Sequence, residues 1–291
     1  MLVSMKSILD RANRGGYAVL APNIFSELDA RAYIEAAEDM DSPIILDVAY
    51  PTTNDLPFLG KVAGMLAEQA RVPVALNLDH GADLRQVAEA IRGGFTSVML
   101  DCSMLPYDEN VRRVKEVVEL VHPLGISVEA EIGHVGSGES YDFEKGLTAP
   151  EEALRFIEDT GIDACAVAIG TAHGAYKGTP KLDFERLEAI KKATWFPLVL
   201  HGSSGTGEEL IGRACRMGIN KVNVANDLLK TAYTTVKATE LEGNQVYDFW
   251  SIIADSLREF VKHQIEMTGS AGKSWNKEST GLPRGTVTMK E

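Results

Sequence analysis

Hydrophobic and polar positions follow two alternating patterns along the chain. Short apolar runs rich in β-branched residues predict strands, and the amphipathic stretches between them predict helices. The predicted strands are residues 17–22, 43–48, 72–78, 97–101, 126–131, 164–169, 197–200 and 221–224. The predicted helices are residues 28–39, 56–69, 84–92, 109–122, 150–160, 184–192, 208–217 and 227–240. Apolar strands alternating with helices indicate a parallel sheet covered on both faces.

Eight such units in one chain of 291 residues favour a single (β/α)8 TIM barrel of the α/β class. An open doubly wound sheet is the alternative, but no GxGxxG motif follows the first strand. We expect one barrel domain over residues 1–268, with an extra N-terminal helix and a C-terminal helical extension. Residues 269–291 are predicted to form a tail that is mobile or packs on a neighbouring subunit. The glycine-rich segment 133–148 is a candidate lid.

Charge and cysteine content narrow the functional class. The chain carries 29 Lys and Arg against 42 Asp and Glu, a net charge of −13, which argues against a nucleic-acid or anionic-membrane partner. No signal peptide or membrane-spanning apolar run is present in the sequence. The three cysteines are widely spaced and odd in number, so they indicate no disulfide framework. A cytoplasmic protein with reduced thiols is the simplest prediction.

Chemically active side chains recur where the predicted strands end. In a (β/α)8 barrel the catalytic groups come from this end of the strands. The candidates are Asp79 and His80 after strand three, Asp101 after strand four, Glu129 and Glu131 in strand five, His173 after strand six, His201 after strand seven and Asn223 in strand eight. Each of these three histidines is followed by glycine. Three neutral imidazoles with one open position match a catalytic zinc site.

The roles of the neighbouring acids stay open on the residues alone. Asp79 precedes a predicted ligand, and because strand residues alternate its side chain should point the opposite way. It is either a hydrogen-bond partner of a histidine or a general acid/base toward a substrate hydroxyl. Asp101 and Glu131 are candidates for an auxiliary cation site or for holding the imidazoles, and Glu129 for an interior partner. His122 and His263 are predicted on surface helices, and His134 lies in the candidate lid.

Two segments after strands seven and eight match the usual phosphate site of this fold. Residues 201–207, HGSSGTG, and residues 223–227, NVAND, each run into a predicted helix. Backbone N–H groups and the helix dipole receive an anion at such positions. A phosphate beside zinc points to a phosphorylated sugar or triose as the substrate.

Five motifs carry a resemblance to a known family. They are NLDHG at 77–81, SVEAEIG at 127–133, AIGTAHG at 168–174, VLHGSS at 199–204 and KVNVA at 221–225. In this order they resemble the class II, zinc-dependent ketose-bisphosphate aldolases, the family of fructose- and tagatose-bisphosphate aldolases. The resemblance spans about residues 1 to 270.

The resemblance implies a role for each site residue. His80, His173 and His201 would hold the catalytic Zn²⁺, and Asp101 and Glu131 would bind a second or displaced cation. Asp79 would be the acid/base on the substrate hydroxyl, and Glu139 on the mobile loop would be the acid that protonates the carbanion. The residues implied to bind dihydroxyacetone phosphate and the rest of the substrate are Asn23, Gly174, Gly202, Ser203, Ser204, Asn223, Val224, Ala225 and Asn226. Relatives are dimers or tetramers, so a homodimer or homotetramer is expected.

Three positions depart from the pattern of relatives. Ser26 stands where a second Asn is common, Ala49 where many relatives end the second strand with Ser, and Asn226 where Thr often closes the phosphate loop. The expected reaction is reversible cleavage of a ketose phosphate such as fructose or tagatose 1,6-bisphosphate. The departures allow a specialised substrate instead, such as a deoxy-keto-gluconate phosphate or a sulfofructose phosphate.

Two further classes compete with the aldolase. A barrel metallohydrolase usually carries an HxH pair on the first strand, and residues 17–23 contain no histidine. A catalytically inactive partner that kept the barrel is disfavoured because all three histidines and Asp79 are present.

Overall fold

The computed structural model describes residues 1–49, 52–138, 146–174, 176, 179–275 and 281–282. Its strands are β1 (Val19–Pro22), β2 (Ile44–Ala49), β3 (Val74–Gly81), β4 (Ser97–Leu100), β5 (Ser127–Ile132), β6 (Ala164–Val167), β7 (Leu198–Leu200) and β8 (Ile219–Val224). They form one parallel sheet in the order β1-β8-β7-β6-β5-β4-β3-β2. A parallel bridge between Asn23 and Asp47 joins its two ends. The predicted (β/α)8 barrel is confirmed.

Helices alternate with the strands and surround the barrel. They are α1 (Met5–Gly15), α2 (Glu27–Asp39), α3 (Leu56–Gln69), α4 (Leu84–Gly93), α5 (Tyr107–Val121), α6 (Pro150–Thr160), α7 (Phe184–Thr194), α8 (Glu208–Arg216), α9 (Asn226–Ala238) and α10 (Phe249–Thr268). A 3₁₀ helix, Gly243–Asp248, precedes α10, which forms the predicted C-terminal helical extension. No helix in the described ranges is long and apolar enough to cross a membrane.

Aspartates fix the start of several helices that follow strands. Asp55, Asp83 and Asp183 accept hydrogen bonds at 2.9–3.0 Å from the backbone N–H three residues on, at the first turns of α3, α4 and α7. Each carboxylate satisfies a donor that has no partner within the helix and complements the positive end of its dipole. These caps end the loops at the rim of the barrel and so limit where the site residues can lie.

Side chains that point into the barrel form three layers along its axis. At the bottom, Met5, Ile8, Leu9 and Ala12 of α1 belong to one buried apolar cluster with strand residues such as Ile45 and Ala75. The middle layer is polar and fully buried, and contains Asp47, Asn77, Glu129 and Lys221. The top layer contains Asp79, Glu131, His201 and Asn223. Because strand residues alternate, a step of two positions moves from one layer to the next, as in Ala75, Asn77 and Asp79.

Part of the C-terminal tail packs on its own chain. The Gly272 N–H donates to the Met40 carbonyl at 2.9 Å, and the guanidinium of Arg11 lies 4.4 Å from the centre of the Trp275 ring. Leu282 is buried and its N–H donates to a carboxylate oxygen of Glu38. Residues 276–280 and 283–291 lie outside the described part, and the predicted domain boundary at 268 stays a prediction.

Candidate active site

The end of β3 turns both Asp79 and His80 toward the barrel axis. His80 has a left-handed backbone, with φ of 50°, and the pairing register of β3 with β4 shifts between Leu78 and Gly81. Asp79 Oδ1 consequently lies 3.9 Å from His80 Nε2. The expectation that the two side chains point opposite ways is therefore wrong, because a local irregularity interrupts the strand alternation. A Cβ on Gly81 would lie 2.6 Å from the Met99 carbonyl, so this position requires glycine.

The three predicted ligand histidines converge from three strands at the top of the barrel. The ring centre of His80 is 4.9 Å from that of His173 and 4.5 Å from that of His201. One ring nitrogen from each lies within 4.8 Å of the others. This spacing and this donor set fit a tetrahedral zinc with one position left for substrate.

Carboxylates bind two of these imidazoles, one through Nδ1 and the other through Nε2. His80 Nδ1 is 2.8 Å from Asp101 Oδ2, which leaves Nε2 facing the cluster. His201 Nε2 is 2.8 Å from Glu129 Oε1, which leaves Nδ1 facing the cluster. A carboxylate that accepts the proton of one ring nitrogen leaves the lone pair of the other for a metal.

His173 is held by its backbone rather than by a carboxylate. Its N–H donates to the Gly136 carbonyl at 2.8 Å, and its own carbonyl accepts from Gly138 N–H at 2.7 Å. Burial, with the nearby imidazoles of His201 and His80, lowers the pKa of His173 to about 4, so the ring is neutral as a ligand must be. The same two hydrogen bonds anchor the base of the candidate lid beside His173.

Asp79 is fixed by two asparagine amides. Asn23 Nδ2 donates to Oδ2 and Asn223 Nδ2 donates to Oδ1, both at 3.0 Å. Burial raises the pKa of Asp79, but the imidazoles of His80 and His201 outweigh it and lower this pKa to about 2. Asp79 is therefore an ionised carboxylate beside the histidine cluster. Asn23 and Asn223, predicted to bind substrate, hold this carboxylate, and their contact with substrate stays a prediction.

Below the histidines a buried ion cluster supports His201. Lys221 Nζ lies 2.9 Å from Glu129 Oε2 and 3.2 Å from Asp47 Oδ2, and all three side chains are fully buried. Burial lowers the pKa of Lys221, but Asp47 and Glu129 outweigh it and raise the pKa, so the ammonium stays charged. Sequence reasoning proposed an interior partner role for Glu129 and missed Lys221 and Asp47. The sequence signal that could have identified Lys221 and Asp47 is a charged residue within a predicted buried strand.

A second group of acids lies beside His80. His80, Asp101 and Glu131 also bring ligand atoms within 4.8 Å of one another. Glu131 Oε1 accepts from Val135 N–H at 2.8 Å, while its buried Oε2 has no hydrogen-bond partner among the described residues. His134 Nδ1 is 3.1 Å from Ser103 Oγ, whose hydroxyl binds Asp101. This geometry could hold an auxiliary cation, and that role stays a prediction.

The loops after β7 and β8 meet above the barrel. Ser203 Oγ donates to the Asn223 carbonyl, and Ser204 Oγ accepts from Asp227 N–H at 3.3 Å. Gly202 has φ of 68°, and a Cβ there would lie 2.6 Å from the Ala172 carbonyl oxygen. The predicted phosphate-binding residues of these two loops, 202–204 and 223–226, are thus brought together at the start of α9, and Gly174 lies on the neighbouring loop after β6.

The two histidines that were predicted to lie on surface helices are outside the site. His122 Nε2 contacts Asp163 at 2.9 Å, and His263 Nε2 contacts Glu208 at 2.9 Å, both away from the cluster. Glu139, the predicted loop acid, lies outside the described residues.

Tyr176 was missed by sequence reasoning and ties two of the site loops together. Its hydroxyl accepts from Ala172 N–H at 2.7 Å and donates to the Gly202 carbonyl at 3.0 Å, with Thr206 Oγ1 at 2.9 Å. Ala172 precedes His173, and Gly202 follows His201. Tyr176 gives no sequence signal, because two of its partners, Gly202 and Thr206, lie on another loop.

We expect Tyr176→Phe to raise KM for the phosphorylated substrate by roughly fivefold with little change in kcat, because it loosens the loop that is predicted to bind the phosphate. Steady-state kinetics measure this split. Tyr107→Phe is the matched control, since its hydroxyl binds Asp159 away from the site. Unchanged kinetics in Tyr176→Phe would show that these hydrogen bonds do not position the loop.

Comparison with known proteins agrees with the barrel fold. A fold of eight β–α units with catalytic groups at the strand ends defines a TIM-barrel enzyme. The family model for fructose-bisphosphate aldolase class-II matches residues 3–273. The chain therefore belongs to the class II fructose-bisphosphate aldolase family and is an aldolase, a carbon–carbon lyase.

Solved structures are similar over nearly the whole chain. The YdjI aldolase from Escherichia coli K12 is 32% identical with a TM-score of 0.86, covering 94% of this chain and 100% of that chain. A putative fructose-1,6-biphosphate aldolase from Coccidioides immitis is 28% identical with a TM-score of 0.81, covering 92% and 97%. Fructose-bisphosphate aldolase from Campylobacter jejuni, at 22% identity and a TM-score of 0.79 over 94% and 97%, supports the fold.

Proposed function

We propose that this chain is a zinc-dependent aldolase that reversibly cleaves a phosphorylated ketose to dihydroxyacetone phosphate and an aldehyde. The observation that carries the proposal is the position of Asp79. Its Oδ1 lies 3.9 Å from His80 Nε2 and 3.9 Å from His201 Nδ1, the ring nitrogens left free by Asp101 and Glu129. A base beside three imidazoles that could hold a metal is the arrangement that metal-assisted aldol cleavage needs.

His80, His173 and His201 would hold the zinc. The chemistry that bound zinc supplies is Lewis-acid polarisation of the ketose carbonyl, which stabilises negative charge as the carbon–carbon bond breaks. The protein contributes the orientation of the rings through Asp101, Glu129 and the backbone of residues 136–138. Asp101 and Glu131 are proposed ligands of a second cation.

Asp79 takes the proton from the hydroxyl at the carbon that becomes the aldehyde. The oxygen keeps the electron pair of the broken O–H bond and forms the aldehyde C=O, while the C–C bond electrons pass to the three-carbon fragment. Asn23 and Asn223 hold both carboxylate oxygens of Asp79, so the base keeps one orientation during this transfer. An acid then protonates the three-carbon fragment, and Glu139 is the proposed donor.

The loops after β6, β7 and β8 would bind the phosphate of the three-carbon half. Gly174, Gly202, Ser203, Ser204 and the segment 223–226 supply small side chains, hydroxyls and backbone N–H groups at the start of α9. The packing of Gly202 on Ala172 keeps these loops together beside the ligand histidines. Phosphate binding here would place the ketose carbonyl over the histidine cluster.

The proposal also concerns which phosphorylated ketose the protein cleaves. Fructose or tagatose 1,6-bisphosphate is the first candidate, and a deoxy-keto-gluconate or sulfofructose phosphate is the alternative. The alternative rests on the three departures from relatives at Ser26, Ala49 and Asn226. A homodimer or homotetramer is part of the proposal, and the cytoplasmic location stays a prediction.

A coupled assay for dihydroxyacetone phosphate tests the function. We expect release from at least one member of a panel of fructose, tagatose, sorbose, deoxy and sulfonated ketose phosphates. Release should stop after chelation and return with zinc, because the Lewis acid is needed for bond cleavage. Heat-inactivated protein with zinc is the control. Release that survives complete metal removal would contradict the zinc requirement, and no release from any substrate by zinc-loaded protein would contradict the proposed reaction.

A further inference from the structure

A chain of hydrogen bonds leads from the predicted ligand His80 to the segment that follows β5. His80 Nδ1 lies 2.8 Å from Asp101 Oδ2, and the other oxygen of this carboxylate accepts from the Ser103 hydroxyl at 2.8 Å. Ser103 Oγ in turn lies 3.1 Å from His134 Nδ1. These four residues, called the His80–His134 chain, come from the ends of the neighbouring strands β3, β4 and β5.

The donors and acceptors of the His80–His134 chain allow one arrangement of protons. An ionised carboxylate only accepts, so Asp101 receives the hydroxyl proton of Ser103 and the Nδ1 proton of His80. The Ser103 oxygen has then given its one proton to Asp101 and accepts from the Nδ1–H of His134. His80 keeps the lone pair of Nε2, the nitrogen that faces the histidine cluster.

The backbone is anchored at both ends of the His80–His134 chain. Asp101 N–H donates to the Gly81 carbonyl at 2.8 Å, directly beside His80. His134 N–H donates to the Gly146 carbonyl at 2.9 Å. The side chains therefore extend from fixed points. Under these conditions the Ser103 hydroxyl and the His134 imidazole determine how the Asp101 carboxylate meets the ring of His80.

The segment that carries His134 also contacts a second predicted ligand. His173 N–H donates to the Gly136 carbonyl at 2.8 Å, and Gly138 N–H donates to the His173 carbonyl at 2.7 Å. Residues 134–138 thus contact His173 through the backbone and reach His80 through side chains. The proposed reaction assigns no role to Ser103 or His134.

We propose that Ser103 and His134 are positioning residues of the metal site, which hold Asp101, and through it the ring of His80, in the orientation that binds zinc. The inference rests on the proposed function, because it requires that the three histidines bind zinc. A ring that is already held before the metal arrives loses less conformational freedom on binding. Partners of metal-binding histidines typically change metal affinity by about 10- to 100-fold. Ser103 acts one hydrogen bond further from the metal, so we expect the lower end of this range.

The test is zinc affinity, measured on metal-free protein by competition with a chromogenic chelator at fixed pH. We expect Ser103→Ala to weaken zinc binding about tenfold, because Asp101 loses a donor and no longer fixes the ring of His80. Ser103→Thr keeps the hydroxyl and should bind zinc as the wild type does. Ser7→Ala is the matched control, since the Ser7 hydroxyl donates to the Ser4 carbonyl at the start of α1, away from the site.

A double-variant cycle tests whether His134 acts through Ser103. His134→Ala should weaken zinc binding roughly threefold to fivefold, the effect of one net hydrogen bond. His134→Asn, whose amide can donate to Ser103, should restore most of the affinity. Ser103→Ala/His134→Ala should bind zinc no more weakly than Ser103→Ala alone, because the chain is already broken. His263→Ala is the control, since His263 contacts Glu208 away from the site.

Additive losses in the double variant would overturn the His80–His134 chain. They would show that His134 acts instead on Glu131, whose Oε1 lies 3.7 Å from His134 Nδ1. Urea denaturation of the metal-free variants should match the wild type. A large loss of stability in both Ser103→Ala and His134→Ala would assign the weaker zinc binding to folding and overturn the positioning role.

Failure of this inference and failure of the proposed function give different results. Wild-type protein that binds zinc, with Ser103→Ala and His134→Ala binding it equally tightly, would overturn the positioning role and leave the zinc site in place. Wild-type protein that binds no zinc would overturn both. Neither result depends on the aldolase assay or on the identity of the ketose.

Discussion

Asp79→Ala is expected to lower kcat for ketose cleavage by about 10²- to 10⁴-fold, the usual contribution of a positioned general base. Asp79 is the carboxylate nearest both free imidazole nitrogens, at 3.9 Å from each. The predicted metal ligands are the ring nitrogens of His80, His173 and His201 and do not include Asp79. We therefore expect the metal content of the variant to stay unchanged. Cleavage kinetics and metal analysis of the purified variant measure the two effects separately.

The variant should also separate the two proton transfers. Dihydroxyacetone phosphate lacks the hydroxyl that Asp79 deprotonates in the ketose, so Asp79→Ala should still exchange a carbon-bound hydrogen of this triose with solvent. Asp83→Ala is the matched control, since Asp83 lies on the same loop, caps α4 and should leave kcat unchanged. Loss of metal together with activity in Asp79→Ala would instead make Asp79 a residue that holds the ligands.

Lys221→Met is expected to lower the free energy of unfolding by about 3–5 kcal/mol. The substitution removes the cation between Asp47 and Glu129, and all three groups are fully buried. Two carboxylates would then share a water-excluded site without a counterion. Because Glu129 also orients His201, metal affinity should fall with stability. Chemical denaturation and a metal-binding titration measure these effects.

A triple variant tests whether charge is the cause. Lys221→Met/Asp47→Asn/Glu129→Gln replaces both carboxyl groups that lose their counterion, so it should lose less stability than Lys221→Met alone. Lys6→Met is the control for loss of a lysine, because Lys6 pairs on the surface and is about half exposed. A triple variant less stable than Lys221→Met would indicate that shape and hydrogen bonding in the middle layer, not charge, set its stability.

The barrel and the histidine cluster could be predicted because local patterns determine them. Apolar strands alternate with amphipathic helices, and parallel strands bring their C-terminal ends to one rim. His80 lies at the end of β3, His173 in the loop after β6 and His201 directly after β7, so their convergence follows from the topology. The buried middle layer is a different case. The contact of Lys221 in β8 with Asp47 in β2 and Glu129 in β5 crosses the barrel interior, and a single sequence does not show which strands face each other there.

Local backbone geometry explains the wrong prediction at Asp79. Alternation along a strand holds for regular pairing, but His80 adopts a left-handed conformation where the register with β4 shifts. A non-glycine residue rarely has this conformation, and no sequence pattern indicates it. The hydrogen bond from Tyr176 to Gly202 could not be predicted from the sequence either, because it joins loops after two different strands.

The most direct test of the proposed chemistry is hydrogen exchange of dihydroxyacetone phosphate in deuterated water, followed by proton nuclear magnetic resonance. This half-reaction needs the metal site, the phosphate loops and the proton donor, but not the unknown aldehyde. The wild type should exchange one carbon-bound hydrogen, lose this activity after chelation and regain it with zinc. Zinc-loaded, folded protein that exchanges no hydrogen would contradict the assignment of the histidine cluster as the centre of an aldol reaction.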